Sequence, residues 1–274
     1  MNVGPTPRGV VVTAAAAGAP APRRLDAFLR RVVTTPRLFV PTMGAVTLTG
    51  LWLDSLVGIG LQLVLALCAW VILLTVCRYQ TPERRAQVAV VVAVATCAEI
   101  IGSIIWGVYG YRLGNLPLFV PPGHGLVYLS GVGISELGPA RRHRRAFVAA
   151  AAALVLGWAL LGLTVLPRLD VAGAMGAVVL AVFLWRGRAP AVYAGVFLAV
   201  AFLEIYGTAI GTWRWAEEVP GVGIPDGNPP SGAASGYVLF DICALALAPV
   251  LLRAVAAVAG RRRGGVPEPA PGEA

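Results

Sequence analysis

Charge is scarce in this chain, and its positive charge comes in a single chemical form. Charged residues make up 13% of the sequence against 58% hydrophobic, with a mean hydropathy of +0.78. That balance excludes an ordinary soluble globular domain. Lysine is absent, so the 22 basic residues are all arginine, which we read as composition bias. Histidine is nearly absent too. His124 and His143 are far apart and lack H-x-x-x-H spacing, so no metal site is expected, and nothing in the sequence asks for a cofactor. The four cysteines (Cys68, Cys77, Cys97, Cys243) form no C-x-x-C pair. Each lies inside an apolar run, where a small buried hydrophobe is expected rather than a redox centre. The net charge of +9 does not point to nucleic acid, because the arginines fall between apolar stretches, where they read as a topology signal.

Long apolar stretches are what the sequence has in abundance. An α-helix needs about 20 residues to cross a hydrocarbon core of about 30 Å. Eight stretches approach or pass that length: 38–53, 57–77, 87–108, 123–138, 146–166, 169–186, 190–211 and 234–256. The first and fourth are the weakest, and a seven-span alternative would make one of them re-entrant or interfacial. Eight crossings place every arginine except Arg112, Arg168 and Arg214 on one side. The positive-inside rule makes that side cytoplasmic, with both termini there, and the chain a multi-pass protein of the cell membrane. The expected fold is all-α, a polytopic membrane helix bundle. Residues 1–37 read as a cytoplasmic tail, 38–256 as the transmembrane domain and 257–274 as a disordered cytoplasmic tail. Within the N-terminal tail, Leu25, Phe28, Leu29 and Val32 recur at helical spacing among Arg24, Arg30 and Arg31. That suggests a short helix on an anionic lipid surface, or an ordinary basic flank of the first span.

One pattern occurs twice. EIIGSIIWGVYGYRLGNLPLFVPPG begins at Glu99, and EIYGTAIGTWRWAEEVPGVGIPDGNPPS begins at Glu204. Each has a glutamate inside an apolar run, a glycine three residues on (Gly102, Gly207), and a second glycine (Gly107, Gly211). An aromatic-x-aromatic triplet follows, Tyr109–Tyr111 or Trp213–Trp215, and then a Pro/Gly-rich loop. Two parallel four-helix repeats, 38–138 and 146–256, follow from this spacing, because an even number of crossings returns the chain to its starting side. Each glutamate is expected near the bilayer midplane, where an ionisable group is costly and faces the bundle interior. It could act as a proton donor or serve as helix-packing glue. The glycines share a helix face with their glutamate, giving close approach to a flat ligand or simple helix packing. The aromatic triplets suit a membrane-interface belt, or mark a helix unwinding so that its rings line a cavity mouth. His124 is a candidate base without a counterpart in the second copy, and Asp241 is a third acid inside a span. Asn115, Asn228 and Asp226 read as turn residues, and Arg112 or Arg214 could pair with Glu217, Glu218 or Asp226.

The pattern E-x-x-G-x-x-x-(x)-G-x-[YW]-x-[YW] with its Pro-rich loop resembles the integral-membrane carotenoid biosynthesis family, which includes carotenoid hydratases. Glu99, Gly102, Gly107, Tyr109, Tyr111, Pro117 and Pro121 carry the resemblance in the first copy. Gly211, Trp213, Trp215, Gly223-Ile224-Pro225 and Asn228 carry it in the second. The resemblance implies water addition to the terminal C=C of a polyene dissolved in the bilayer. Glu99, Glu204, His124 and Asp241 would be the acid–base candidates, and the glycines, aromatics and Asn228 would contact substrate. The alternatives are a proton-coupled transporter, whose relay the carboxylates would form, and a non-catalytic assembly protein. The oligomeric state is not encoded in any feature of the sequence.

Overall fold

The computed structural model describes residues 21–263, so the tails at 1–20 and 264–274 lie outside the described residues. The chain is mostly helical: α1 (Ala21–Thr34), α2 (Pro36–Leu56), α3 (Ile59–Arg78), α4 (Pro82–Glu99), α5 (Val120–Glu136), α6 (Gly138–Arg142), α7 (Arg144–Thr164), α8 (Val171–Arg186), α9 (Pro190–Ala209) and α10 (Ala234–Arg263). A π-helix, Ile100–Trp106, continues α4. Four short strands, β1 (Tyr109–Tyr111), β2 (Trp213–Trp215), β3 (Glu218–Val219) and β4 (Ile224–Pro225), form two antiparallel pairs.

Each expected apolar stretch is a helix. Five are long and apolar enough to cross a membrane: Ile59–Arg78, Pro82–Trp106, Arg144–Thr164, Pro190–Ala209 and Ala234–Ala259. α8 is apolar but shorter. α10 runs to Arg263, beyond the end at 256 read from the sequence. Helix starts follow local chemistry. Proline occupies the first turn of α2, α4, α5 and α9, where no N–H is needed. Thr81 accepts from Arg84 N–H at 3.2 Å and caps α4.

The apolar residues are distributed for a lipid solvent. Ile105 is 72% exposed, Leu67 65% and Trp185 75%, each on a helix whose other side is packed. Apolar surface on this scale in a helical bundle faces acyl chains or a partner. Cys68 and Cys97 lie on this exposed surface and Cys77 and Cys243 are half-buried, so the sequence expectation of burial fails. Their apolar runs present one side of each helix outward.

The centre is built from α4, α5, α9 and α10. α4 packs most extensively along α10, and α9 along α5. Small residues bring these backbones together. A side chain at Gly195 would overlap the Gly131 carbonyl, and one at Gly131 would overlap Val196. Gly232, just before α10, lies against Gly173 and Gly176 of α8. α1 takes the helical form expected, but only part of its apolar set faces outward. Leu25 and Phe28 are exposed, while Leu29 and Val32 are half-buried. Asp26 fixes the helix by accepting from Tyr79 Oη at 2.8 Å and lying 3.6 Å from Arg78.

Candidate functional site

The two aromatic triplets are strands, and they pair with each other. Tyr109 lies opposite Trp215, Gly110 opposite Arg214 and Tyr111 opposite Trp213. Further bonds extend the ribbon: Ala216 N–H donates to Val108 O at 2.8 Å, and Arg112 N–H to Thr212 O at 3.0 Å. A strand has a period of two, so both aromatics of a triplet share a face. On a helix the same two residues would point apart. Arg214, on the opposite face, is exposed and lies 3.6 Å from Glu217. Ring centroids stand 4.7 Å apart for Tyr109–Trp215 and 6.3 Å for Tyr111–Trp213.

The aromatic face covers both glutamates. Tyr111 Oη donates to Glu99 Oε2 at 2.8 Å. Trp213 Nε1 donates to Glu204 Oε2 at 2.9 Å, and Trp215 Nε1 to the same oxygen at 3.1 Å. Glu99 and Glu204 are 6% and 4% exposed, and Glu99 and His124 lie within electrostatic reach of Glu204. Both carboxyls sit about five residues past the middle of their helices towards the ribbon, about 7 Å from the centre. The two glutamates thus hold equivalent positions along α4 and α9.

His124 completes the group from α5. Its Nε2 lies 3.3 Å from Glu99 Oε1, and its Nδ1 is 3.0 Å from Val120 O. A carbonyl only accepts, so Nδ1 carries a hydrogen and Nε2 faces the carboxyl. A hydrogen bond between Nε2 and Glu99 Oε1 needs one proton, which either group can hold. Tyr237 of α10 stacks on the imidazole at 5.1 Å and 21°, with Phe240 at 5.8 Å. The sequence reading missed both, because a tyrosine inside an apolar span carries no local signal of what it will face.

The glycines have a different use from the open ligand face expected. A Cβ at Gly102 would meet Tyr109 at 3.1 Å, and one at Gly207 would overlap the Trp213 ring, so the space over each is filled by its own segment's first aromatic. Gly107 (φ 76°) and Gly211 (φ 75°) turn the chain from helix into strand in a left-handed conformation that favours glycine.

Asp241 lies outside this constellation: it is buried on α10, one turn beyond Tyr237, and bonds to none of these residues. The loop residues have structural partners. Asn228 Oδ1 accepts from Trp215 N–H at 2.9 Å, which fixes β2 rather than facing a ligand. Asn115 Nδ2 donates to Gln62 Oε1 at 2.7 Å, and Gln62 Nε2 to Asp54 Oδ1 at 2.8 Å. Asp170 gathers the second loop by accepting from Gly227 N–H (2.9 Å) and Ser231 N–H (2.8 Å) while capping α8. Asp226 is buried beside it. Burial, then the neighbouring Asp170, pushes its carboxyl up to about 6. Arg112 donates to the carbonyls of Asp54 and Val57 at the end of α2, and Arg168 to those of Trp215 and Ala216. Among the described residues no cluster of three or more His, Cys, Asp or Glu is placed to hold a metal ion. Comparison with protein-family models, with curated proteins and with solved structures returns no match, so the resemblance to carotenoid hydratases has no support beyond the segments that suggested it.

Proposed function

We propose that this chain is a membrane enzyme that adds water to the terminal C=C of an isoprenoid dissolved in the bilayer. The observation that carries this reading is the 3.3 Å approach of His124 Nε2 to Glu99 Oε1 beneath a sheet of aromatic faces. A proton shared by this pair would be held in an apolar enclosure, beside a second carboxyl whose donors are indoles. In the reaction, the proton held by Glu99 and His124 is delivered to the less substituted alkene carbon, leaving a tertiary carbocation. The faces of Tyr109, Tyr111, Trp213 and Trp215 and the Glu204 carboxylate stabilise that cation. A desolvated cation–π contact is worth about 2 kcal/mol. Water forms the new C–O bond, Glu204 takes its released proton, and the proton returns to the Glu99–His124 pair to close the cycle.

We also infer two parallel four-helix repeats, 38–138 and 146–256, with the arginine-rich ends of the helices in the cytoplasm and an axis through the Gly110–Arg214 pair. The exchange of partners supports this: α4 lies on α10 as α9 lies on α5. The exposed Leu25 and Phe28 of α1, flanked by Arg24 and Arg31, suit an anionic lipid surface.

The test is expression in a host that makes acyclic carotenoids, with pigment analysis by mass spectrometry. A product heavier by one water, lost in Glu99→Gln, is expected. Unchanged pigments from a strain with well-expressed protein would contradict the reading. Proton-coupled uptake dependent on Glu99 in that strain would replace it with transport.

A further inference from the structure

The glutamates of the aromatic ribbon are not the bundle's only buried acids. Asp241 is 1% exposed, and its Oδ2 has no hydrogen-bond partner among the described residues. Tyr128 of α5 and Tyr193 of α9 both lie within electrostatic reach of its carboxyl. Tyr128 Oη donates to Gln87 Oε1 of α4 at 2.8 Å. Each of the four central helices thus contributes one polar side chain: Gln87, Tyr128, Tyr193 and Asp241.

Two of these residues are in register with the glutamate cluster. Tyr128 follows His124 by four residues on α5, and Asp241 follows Tyr237 by four on α10, while His124 and Tyr237 stack on each other. Four residues are one helical turn, about 6 Å. Tyr128 and Asp241 are therefore one turn below His124 and Tyr237, towards the arginine-rich end, and Gln87 and Tyr193 sit lower still on α4 and α9. Charged groups at that end reach it: Arg84 and Glu83 of α4 act on Tyr128, and Arg188 acts on Tyr193. On α8, Val171–Trp185 contains no titratable side chain.

An ionised carboxylate in such a position needs donors or a cation for its oxygens, and a neutral acid does not. We propose that Asp241 is a proton-binding site that exchanges its proton with the arginine-rich end of the bundle, as a station one turn below the Glu99–His124 pair. Its ligand is a proton, held on a buried carboxyl that acts on the Tyr128 and Tyr193 phenols. The site does not depend on hydration chemistry, since a transporter would need it equally.

The test is infrared difference spectroscopy of the purified protein in lipid nanodiscs, on transfer from H2O to D2O at neutral pH. A protonated-carboxyl carbonyl band that shifts in D2O is expected. It should be missing in Asp241→Asn and kept in Glu204→Gln. Tyr128→Phe, which keeps the ring and removes only the hydroxyl, should move the frequency of this band. A band left intact by Asp241→Asn, a band that does not shift in D2O, or one abolished by sodium at constant pH would overturn the proposal. Should Asp241→Asn fail to fold, an unmoved band in Tyr128→Phe would overturn it equally.

Discussion

The segments that begin at Glu99 and Glu204 use one backbone frame with two kinds of side chain. In both, a hydroxyl four residues on bonds back to the glutamate carbonyl, Ser103 at 2.9 Å and Thr208 at 2.7 Å. In both, the N–H before the first aromatic returns to the carbonyl of the glycine three residues after the glutamate, Val108 to Gly102 and Thr212 to Gly207, each at 2.9 Å. The first segment is one residue longer between glutamate and aromatic, and only there does the helix widen into a π turn. The wider turn absorbs the extra residue and keeps the ribbon in register. The chemistry differs more than the geometry. Glu99 faces a phenol and an imidazole, groups that exchange protons. Glu204 faces two indole N–H groups, which only donate. A shared frame with unlike partners sets one carboxyl against a phenol and an imidazole and the other against two fixed N–H donors.

Six substitutions test how far this difference extends. Glu99→Gln should lower product formation by about 100-fold or more, the usual range for a lost acid–base group, while Trp215→Phe should cost nearer tenfold by removing one donor from Glu204. Rates measured in membranes decide this, and equal losses would erase the distinction. The second loop carries a pH-dependent term that the first lacks. The Asp226 carboxyl is raised from 3.8 to about 6, so the folded state holds a proton that the unfolded chain has lost. This contribution is fully present below about pH 4 and is lost as pH rises through about 6. Asp226→Asn should therefore raise stability at neutral pH by about 1–2 kcal/mol, solvent screening included, and flatten the profile between those values, read as unfolding midpoints against pH. Gly207→Ala drives a methyl into Trp213 and should cost about 2–3 kcal/mol. Gly102→Ala, at 3.1 Å from a Tyr109 ring that can shift, should cost about 1 kcal/mol. Thermal unfolding in detergent compares the two. Arg112→Ala should be mildest, at about 1 kcal/mol or less, by freeing the last carbonyls of α2.

Helix placement was legible in the sequence because lipid imposes long apolar runs, and the structure has a helix at each one. The two glutamates and His124 were legible as rare ionisable groups in apolar surroundings, and the structure brings them together. The pairing of Tyr109–Tyr111 with Trp213–Trp215 was not, because strand partners about a hundred residues apart leave no trace in local periodicity. The roles of Tyr237, Asp170 and Gln62 were hidden for the same reason: each is defined by what folds against it.

The ribbon also offers the most direct test. In a variant lacking the four native cysteines, Gly110→Cys and Arg214→Cys would place two thiols at directly opposed strand positions on the outward face. Cα atoms in such a pair are about 4.5–5.5 Å apart, within disulfide range. Mild oxidation in membranes, followed by peptide mass spectrometry, should give an intramolecular disulfide between positions 110 and 214 in most molecules. Two free thiols after oxidation, with a functional protein, would mean that the segments do not meet and that Glu99 and Glu204 share no site.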